Sequence, residues 1–181
     1  MTQWRTIEHN PSLALRAGSV RLSRRFQASP ERIFDAWLNA EQARTFLFAR
    51  RTGDAVSSEI DARVGGRFRI VRRGDSDAIE YCGEYLEIDR PYRLAFSLSV
   101  EKFAQLDDRV VLELASVAGE SLLVLTHEHS LPTHAERHRI QGAWETVLDE
   151  LAAWCVGSAA RMTLPQLKAP VFARWDTDFA S

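Results

Sequence analysis

Residues 132–157, PTHAERHRIQGAWETVLDELAAWCVG, constrain this chain more than any other stretch. Pro132 and Thr133 form a helix-start signal and Gly157 a stop signal. Between them Ile140, Trp144, Val147, Leu148, Leu151 and Cys155 fall at the three- and four-residue spacings that line one face of a 3.6-residue helix. That face must be buried. Arg139, Glu145, Asp149 and Glu150 occupy the opposite face, so the helix is half wet and lies on something instead of running through a core. The remainder of the chain has to supply one broad apolar face.

It has the pattern to do so. Val20, Leu22 and Phe26 alternate with Arg21, Ser23 and Arg25, the period of a strand buried on one side. At Ser29 the signal changes: a good N-cap followed by Pro30 starts a short helix with Ile33, Phe34 and Trp37 as its apolar stripe, ended by Asn39. A second short helix is expected over residues 41–48. Strand-like runs then follow over 56–61, 67–72, 79–88, 94–100, 109–117 and 121–129, separated by Gly65-Gly66, residues 74–77, Pro91 and Gly119. Gly83, inside the third of these runs, predicts a bulge or a close backbone approach. Gly142, in mid-helix, predicts close approach of the helix to the sheet beside Trp144. Consecutive strands with short connections make an antiparallel meander, and with helices on one face the class is α+β. A curved sheet of this kind wraps the long helix and can leave a cavity between them.

At 181 residues the chain suits one domain, divided as an N-terminal extension (1–18, with Trp4, Ile7, Leu13 and Leu15 available to pack), a central domain (19–157) and an apolar, proline-broken tail (158–181) expected to pack on the domain or on a partner. A net charge of -2 gives no electrostatic reason to expect nucleic acid or an anionic membrane surface. Arginines cluster at positions 21, 24, 25 and at 67, 69, 72, 73, where alternation reads as a solvated sheet face. Cys82 and Cys155 lack CxxC spacing and read as small core residues in a reducing compartment. The N-terminus has no signal-peptide pattern and no stretch approaches the roughly 18 apolar residues of a membrane span, so a cytoplasmic location is expected.

Five segments, FQASPERIFDAWLNAEQARTF, DARVGGRFRI, CGEYLEIDRPYRLAFS, LVLTHEHS and HRIQGAWETVLDEL, occur in an order and spacing that resemble the activator of heat-shock ATPase homologue family of the START-like, helix-grip superfamily. The resemblance covers residues 19–156. It implies a curved antiparallel sheet gripping the C-terminal helix, with two short helices after the first strand and a ligand cavity between sheet and helix. Where many relatives carry a tryptophan after the second helix, this chain has Phe46, Leu47 and Phe48, which alters one wall of that cavity.

Three kinds of chemistry can be placed on this framework. The first is binding of a small hydrophobic or amphipathic molecule by Trp37, Phe68, Ile70, Tyr81, Phe96, Leu98, Leu112, Leu114, Trp144 and Leu148 on the concave face and helix. The second is acid/base catalysis of cyclase or hydratase type by a cavity carboxylate or tyrosine, with Glu84, Glu113, Glu128, Tyr81 and Tyr85 as candidates. The third, implied by the resemblance alone, is a chaperone ATPase co-factor. His127 and His129 share a strand face and His134 and His138 a helix face, which is metal-ligand spacing twice, but no carboxylate or cysteine in the sequence completes a familiar signature. The sequence implies no cofactor, no nucleotide-cradling loop and no membrane insertion; a homodimer through the aromatic tail or an exposed sheet face is an expectation.

Overall fold

The computed structural model describes residues 19–47, 55–74, 78–100, 108–129 and 133–163, with side chains of the last helix described through residue 157. The expectations for residues 1–18, for Phe48, for the turn at residues 75–77, for Pro132 and for the tail beyond residue 163 lie outside these. The element order is β1 (Val20–Phe26), α1 (Pro30–Leu38), α2 (Ala40–Phe46), β2 (Ala55–Ile60), β3 (Arg67–Arg73), β4 (Ala78–Asp89), β5 (Arg93–Val100), β6 (Asp108–Val117), β7 (Glu120–Glu128) and α3 (His134–Thr163). The strands form one seven-stranded curved antiparallel sheet in the order β1-β7-β6-β5-β4-β3-β2. β2 to β7 are thus a plain meander, and β1 closes onto β7 at the far edge. The α1–α2 pair carries the chain from one edge of the sheet to the other. This is the α+β helix-grip arrangement.

Each helix starts where a side chain satisfies its free N–H groups. Ser29 Oγ accepts from Arg32 N at the start of α1, and Asn39 Oδ1 accepts from Gln42 N at the start of α2. In α3, Thr133 Oγ1 accepts from Glu136 N at 3.2 Å while Thr133 N donates to Glu136 Oε2 at 2.8 Å, a reciprocal capping box. α3 does not stop at Gly157; it continues to Thr163, because the three residues after Gly157, Ser-Ala-Ala, leave no competing turn signal. Gly142 is exposed and a Cβ there would meet nothing within 4 Å, so the expected close approach to the sheet is absent and that glycine is a solvent-face residue.

Cross-strand register sorts the side chains. On the concave face Ile60, Phe68 and Gly83 are successive partners, as are Ser58, Ile70 and Tyr81. Gly83 has its missing side chain covered by the Phe68 ring: a Cβ would lie 2.7 Å from that ring and 1.8 Å from the Ser97 carbonyl oxygen. Close approach, not a bulge, is therefore the role of Gly83, and the register shift lies between Tyr85 and Glu87. At that shift the turn before β3 joins in. Gly65 N donates to Tyr85 O at 2.8 Å and Tyr85 N donates to Gly66 O at 2.9 Å. Gly65 holds φ +77°, and a Cβ on Gly66 would sit 2.1 Å from Asp61 O, so both glycines are required to turn the chain tightly against β4.

The concave face carries the core. Phe34, Phe46, Ile70, Leu94, Leu112, Leu125 and Leu151 are fully buried, and Trp144, Val147, Leu148 and Cys155 present the predicted face of α3 to them. The convex side is arginine-rich and ion-paired, as in the bidentate Arg69–Glu80 contact at 2.8 and 2.7 Å. Arg72 departs from the expected solvated face: it shares the concave side with Phe68 and Ile70 and is buried. Cys155 is in the core, whereas Cys82 is only half-buried.

One turn carries avoidable strain. β6 and β7 are joined by Ala118 and Gly119, both at positive φ (52° and 84°), and alanine pays a steric cost there of about 1–2 kcal/mol. Ala118→Gly is expected to stabilise the protein by about 0.5–1 kcal/mol, read as a rise in the thermal midpoint.

Candidate functional site

Between α1, α3 and the middle of the concave sheet lies a small cavity of about 20 Å³, lined by Trp37, Leu47, Ile60, Phe68, Ile70, Tyr85, Leu94, Phe96 and Trp144. α1 supplies Trp37, α3 supplies Trp144, and β3, β4 and β5 supply the rings and branched chains that alternation points inward. The rings interlock. Trp37 lies 5.3 Å from Phe46, 6.3 Å from Trp144 and 6.4 Å from Phe96, and Phe68 packs on Tyr85 and Phe96 at 5.5 Å each. All lining residues are buried except Ile60, which is half-buried on the edge strand β2.

Of the residues selected from the sequence, Trp37, Phe68, Ile70, Phe96 and Trp144 line this cavity. Tyr81, Leu98, Leu112, Leu114 and Leu148 are buried in the surrounding core and do not. Leu47, Ile60 and Leu94 were not selected. Leu94 shares the alternation of Phe96 and Leu98 and could have been found by it; Leu47 sits in the Phe46-Leu47 stretch already marked as altering the wall. Ile60 carries no comparable signal.

Polar groups at the cavity differ in how they are satisfied. Trp144 Nε1 donates to His127 Nδ1 at 2.8 Å. Trp37 Nε1 is buried and has no hydrogen-bond partner among the described residues. Burial pushes the Tyr85 hydroxyl well above its ordinary range, so it stays a phenol and cannot serve as a base near neutral pH. Glu84, Glu113 and Glu128 do not line the cavity; Glu113 is paired with Arg93 at 2.8 Å and Glu128 with Arg109 at 3.6 Å.

Behind Trp144 the histidines resolve into two separate groups. His134 and His138 meet edge to face, 4.6 Å between ring centroids, on the exposed first turns of α3. His127 and His129 instead converge on Asp108 at the start of β6, two residues before Val110, the cross-strand partner of His127: His127 Nε2 lies 2.9 Å from Asp108 Oδ2 and His129 Nδ1 lies 2.5 Å from Asp108 Oδ1. Two imidazoles and a carboxylate within 4.8 Å of one another could hold a metal in principle. The next layer argues otherwise. A metal-bound histidine donates its second ring N–H to an acceptor, but His127 Nδ1 faces an indole N–H, which only donates. The bond fixes His127 as the Nε2–H tautomer, with that proton directed to Asp108. The group is a wired chain, Trp144 to His127 to Asp108 to His129, running from the cavity to the protein surface.

Residues 27–155 match the model of the family described as Activator of Hsp90 ATPase homolog 1-like protein. The chain belongs to that family. Solved structures with the same fold as this family member include a protein of Chromobacterium violaceum (24% identity, TM-score 0.66, covering 75% of this chain and 96% of that one). Two more are a protein of Rhodobacter sphaeroides (22%, TM-score 0.67, 81% and 95%) and one of Rhizobium leguminosarum (21%, TM-score 0.67, 77% and 95%). At these identities the likeness is one of fold. A search of the curated proteins finds no match. Among the described residues no helix is long and apolar enough to cross a membrane.

Asp108 gives the site a pH signature. Burial pushes its carboxyl up, but the hydrogen bonds from His127 and His129 outweigh that and hold it below the usual carboxylate range. A folded-state value below the unfolded one of about 4 means the stabilisation is complete above that pH and is lost as pH falls through the folded-state value. Asp108→Asn sets an amide N–H₂ against an imidazole N–H; it is expected to cost about 1–3 kcal/mol at pH 7 and to flatten the acid limb of a stability-against-pH curve. An unchanged acid limb would contradict the wiring.

Proposed function

We propose that the protein binds a small, predominantly apolar molecule between the sheet and α3, in the cavity framed by Trp37 and Trp144. The observation that carries this reading is an aromatic-lined space at the meeting of α1, α3 and the concave sheet, one of whose lining residues, Trp37, has a buried indole nitrogen without a hydrogen-bond partner among the described residues. The family fold, a sheet curved round a helix, supports it.

At about 20 Å³ the cavity admits little more than a water molecule, so a ligand has to spread its wall. Ile60 is the lining residue best placed to move: it lies on an edge strand with a strand partner on one side only and is already partly in solvent. Outward motion of β2 there enlarges the cavity from the edge of the sheet. An enzyme of cyclase or hydratase type finds less support, since among the described residues no carboxylate lines the cavity and Tyr85 is held protonated. The chaperone co-factor reading rests on the family description alone.

Native mass spectrometry of untagged protein taken gently from cells is expected to show an adduct of a few hundred daltons that leaves on denaturation. Ile60→Trp, which narrows the mobile side, is expected to lose that adduct with the fold intact. A bare mass for the unmodified protein, together with no saturable uptake of small aromatic probes, would defeat the reading. Gly83→Leu is not a suitable blocking variant, because its side chain would collide with the Ser97 carbonyl and the Phe68 ring and break the sheet.

A further inference from the structure

We infer that the ligand is an uncharged molecule bearing a carbonyl-type oxygen, and that Trp37 Nε1 is the group that recognises this oxygen; the inference rests on the ligand-binding reading above. Two tryptophans frame the cavity and their indole nitrogens are in opposite situations. Trp144 donates to His127 Nδ1 at 2.8 Å, so its single donor is committed to the protein. Trp37 is 2% exposed and, among the described residues, its Nε1–H meets no acceptor. An indole N–H buried without an acceptor costs free energy that any acceptor brought into the cavity recovers.

The remaining wall defines the rest of the molecule. Among the described residues Leu47, Ile60, Phe68, Ile70, Leu94 and Phe96 offer only carbon surface, Tyr85 adds an uncharged hydroxyl, and no lysine, arginine, histidine, aspartate or glutamate lines the space. A carboxylate or an ammonium group would enter without a counter-charge, which is prohibitive in so apolar a site. A ketone, aldehyde, ester, lactone or quinone oxygen accepts a hydrogen bond without carrying a charge, and a flat apolar skeleton packs against the Trp37, Phe96 and Trp144 rings. The free donor therefore sets the orientation, and the carbon walls set the size.

The matched probes are 1-tetralone and tetralin, which differ by the carbonyl, titrated into protein with ¹⁵N-labelled indoles. Trp37→Phe removes the N–H while keeping an aromatic ring, and identifies the Trp37 resonance by its loss. In the unmodified protein the Trp37 indole signal is expected to move with tetralone and to stay with tetralin. The ratio of tetralone to tetralin affinity is expected to fall about five- to tenfold in Trp37→Phe, the worth of one hydrogen bond, whatever the change in packing does to both ligands alike. A signal that moves equally with both, or a ratio unchanged in the variant, overturns the inference while leaving the cavity reading in place. Saturation by neither probe overturns both. Should Trp37→Phe fail to fold, the indole shift in the unmodified protein decides the matter alone.

Discussion

Burial of one face of α3 in the concave sheet is the interaction on which the rest of this structure depends. Trp144, Val147, Leu148, Leu151 and Cys155 are all out of water. At about 1.5–3 kcal/mol for each large apolar side chain, the contribution is on the order of 10 kcal/mol. That is comparable to the whole net stability of a typical domain, about 5–15 kcal/mol, so the sheet cannot keep its curvature without the helix. Polar contacts then fix where along the groove the helix lies. Arg24 on β1 pairs with Asp149, Arg32 on α1 donates to Cys155 O at 2.9 Å, and Trp144 is tied to His127 on β7.

The tie between Trp144 and His127 also shapes the cavity. By committing one indole donor to the sheet it leaves the other, on Trp37, buried without a hydrogen-bond partner among the described residues. The same tie fixes the His127 tautomer, which in turn orients the imidazole toward Asp108. A histidine pair that at first resembles half a metal site becomes a scaffold for the helix, and the difference lies entirely in what faces the second ring nitrogen. Recognition and architecture here share a residue: the ring of Trp144 bounds the cavity while its N–H anchors α3.

Much of the fold was legible because periodicity speaks about faces. The α3 stripe, the Ser29-Pro30 helix start and the alternating runs of β5 to β7 each declared which side is buried, and the family resemblance supplied their order. What the sequence withheld were quantities set by register and by cross-strand partners. Asp108 opens β6 and meets His127 and His129 only because β6 and β7 pair in one register among several; nothing local announces it. The same holds for Gly83, where a bulge and a close approach leave the same trace in sequence and only the Phe68 ring above it decides. At the candidate site, the residues that line the cavity and those that merely fill the core around it carry the same alternation, so Leu94 and Leu98 could not be told apart. The end of α3 is equally illegible, because Gly157 carries the signal of a stop while the following Ser-Ala-Ala allows the helix to continue to Thr163.

The central claim is that the space between Trp37 and Trp144 receives a neutral carbonyl compound. A crystal structure grown with saturating 1-tetralone tests it most directly. The account predicts density for the bicyclic ring among Trp37, Phe96 and Trp144, with its oxygen within hydrogen-bond distance of Trp37 Nε1 and Ile60 displaced outward. Density elsewhere on the molecule, or a ligand whose oxygen points away from Trp37, would contradict it.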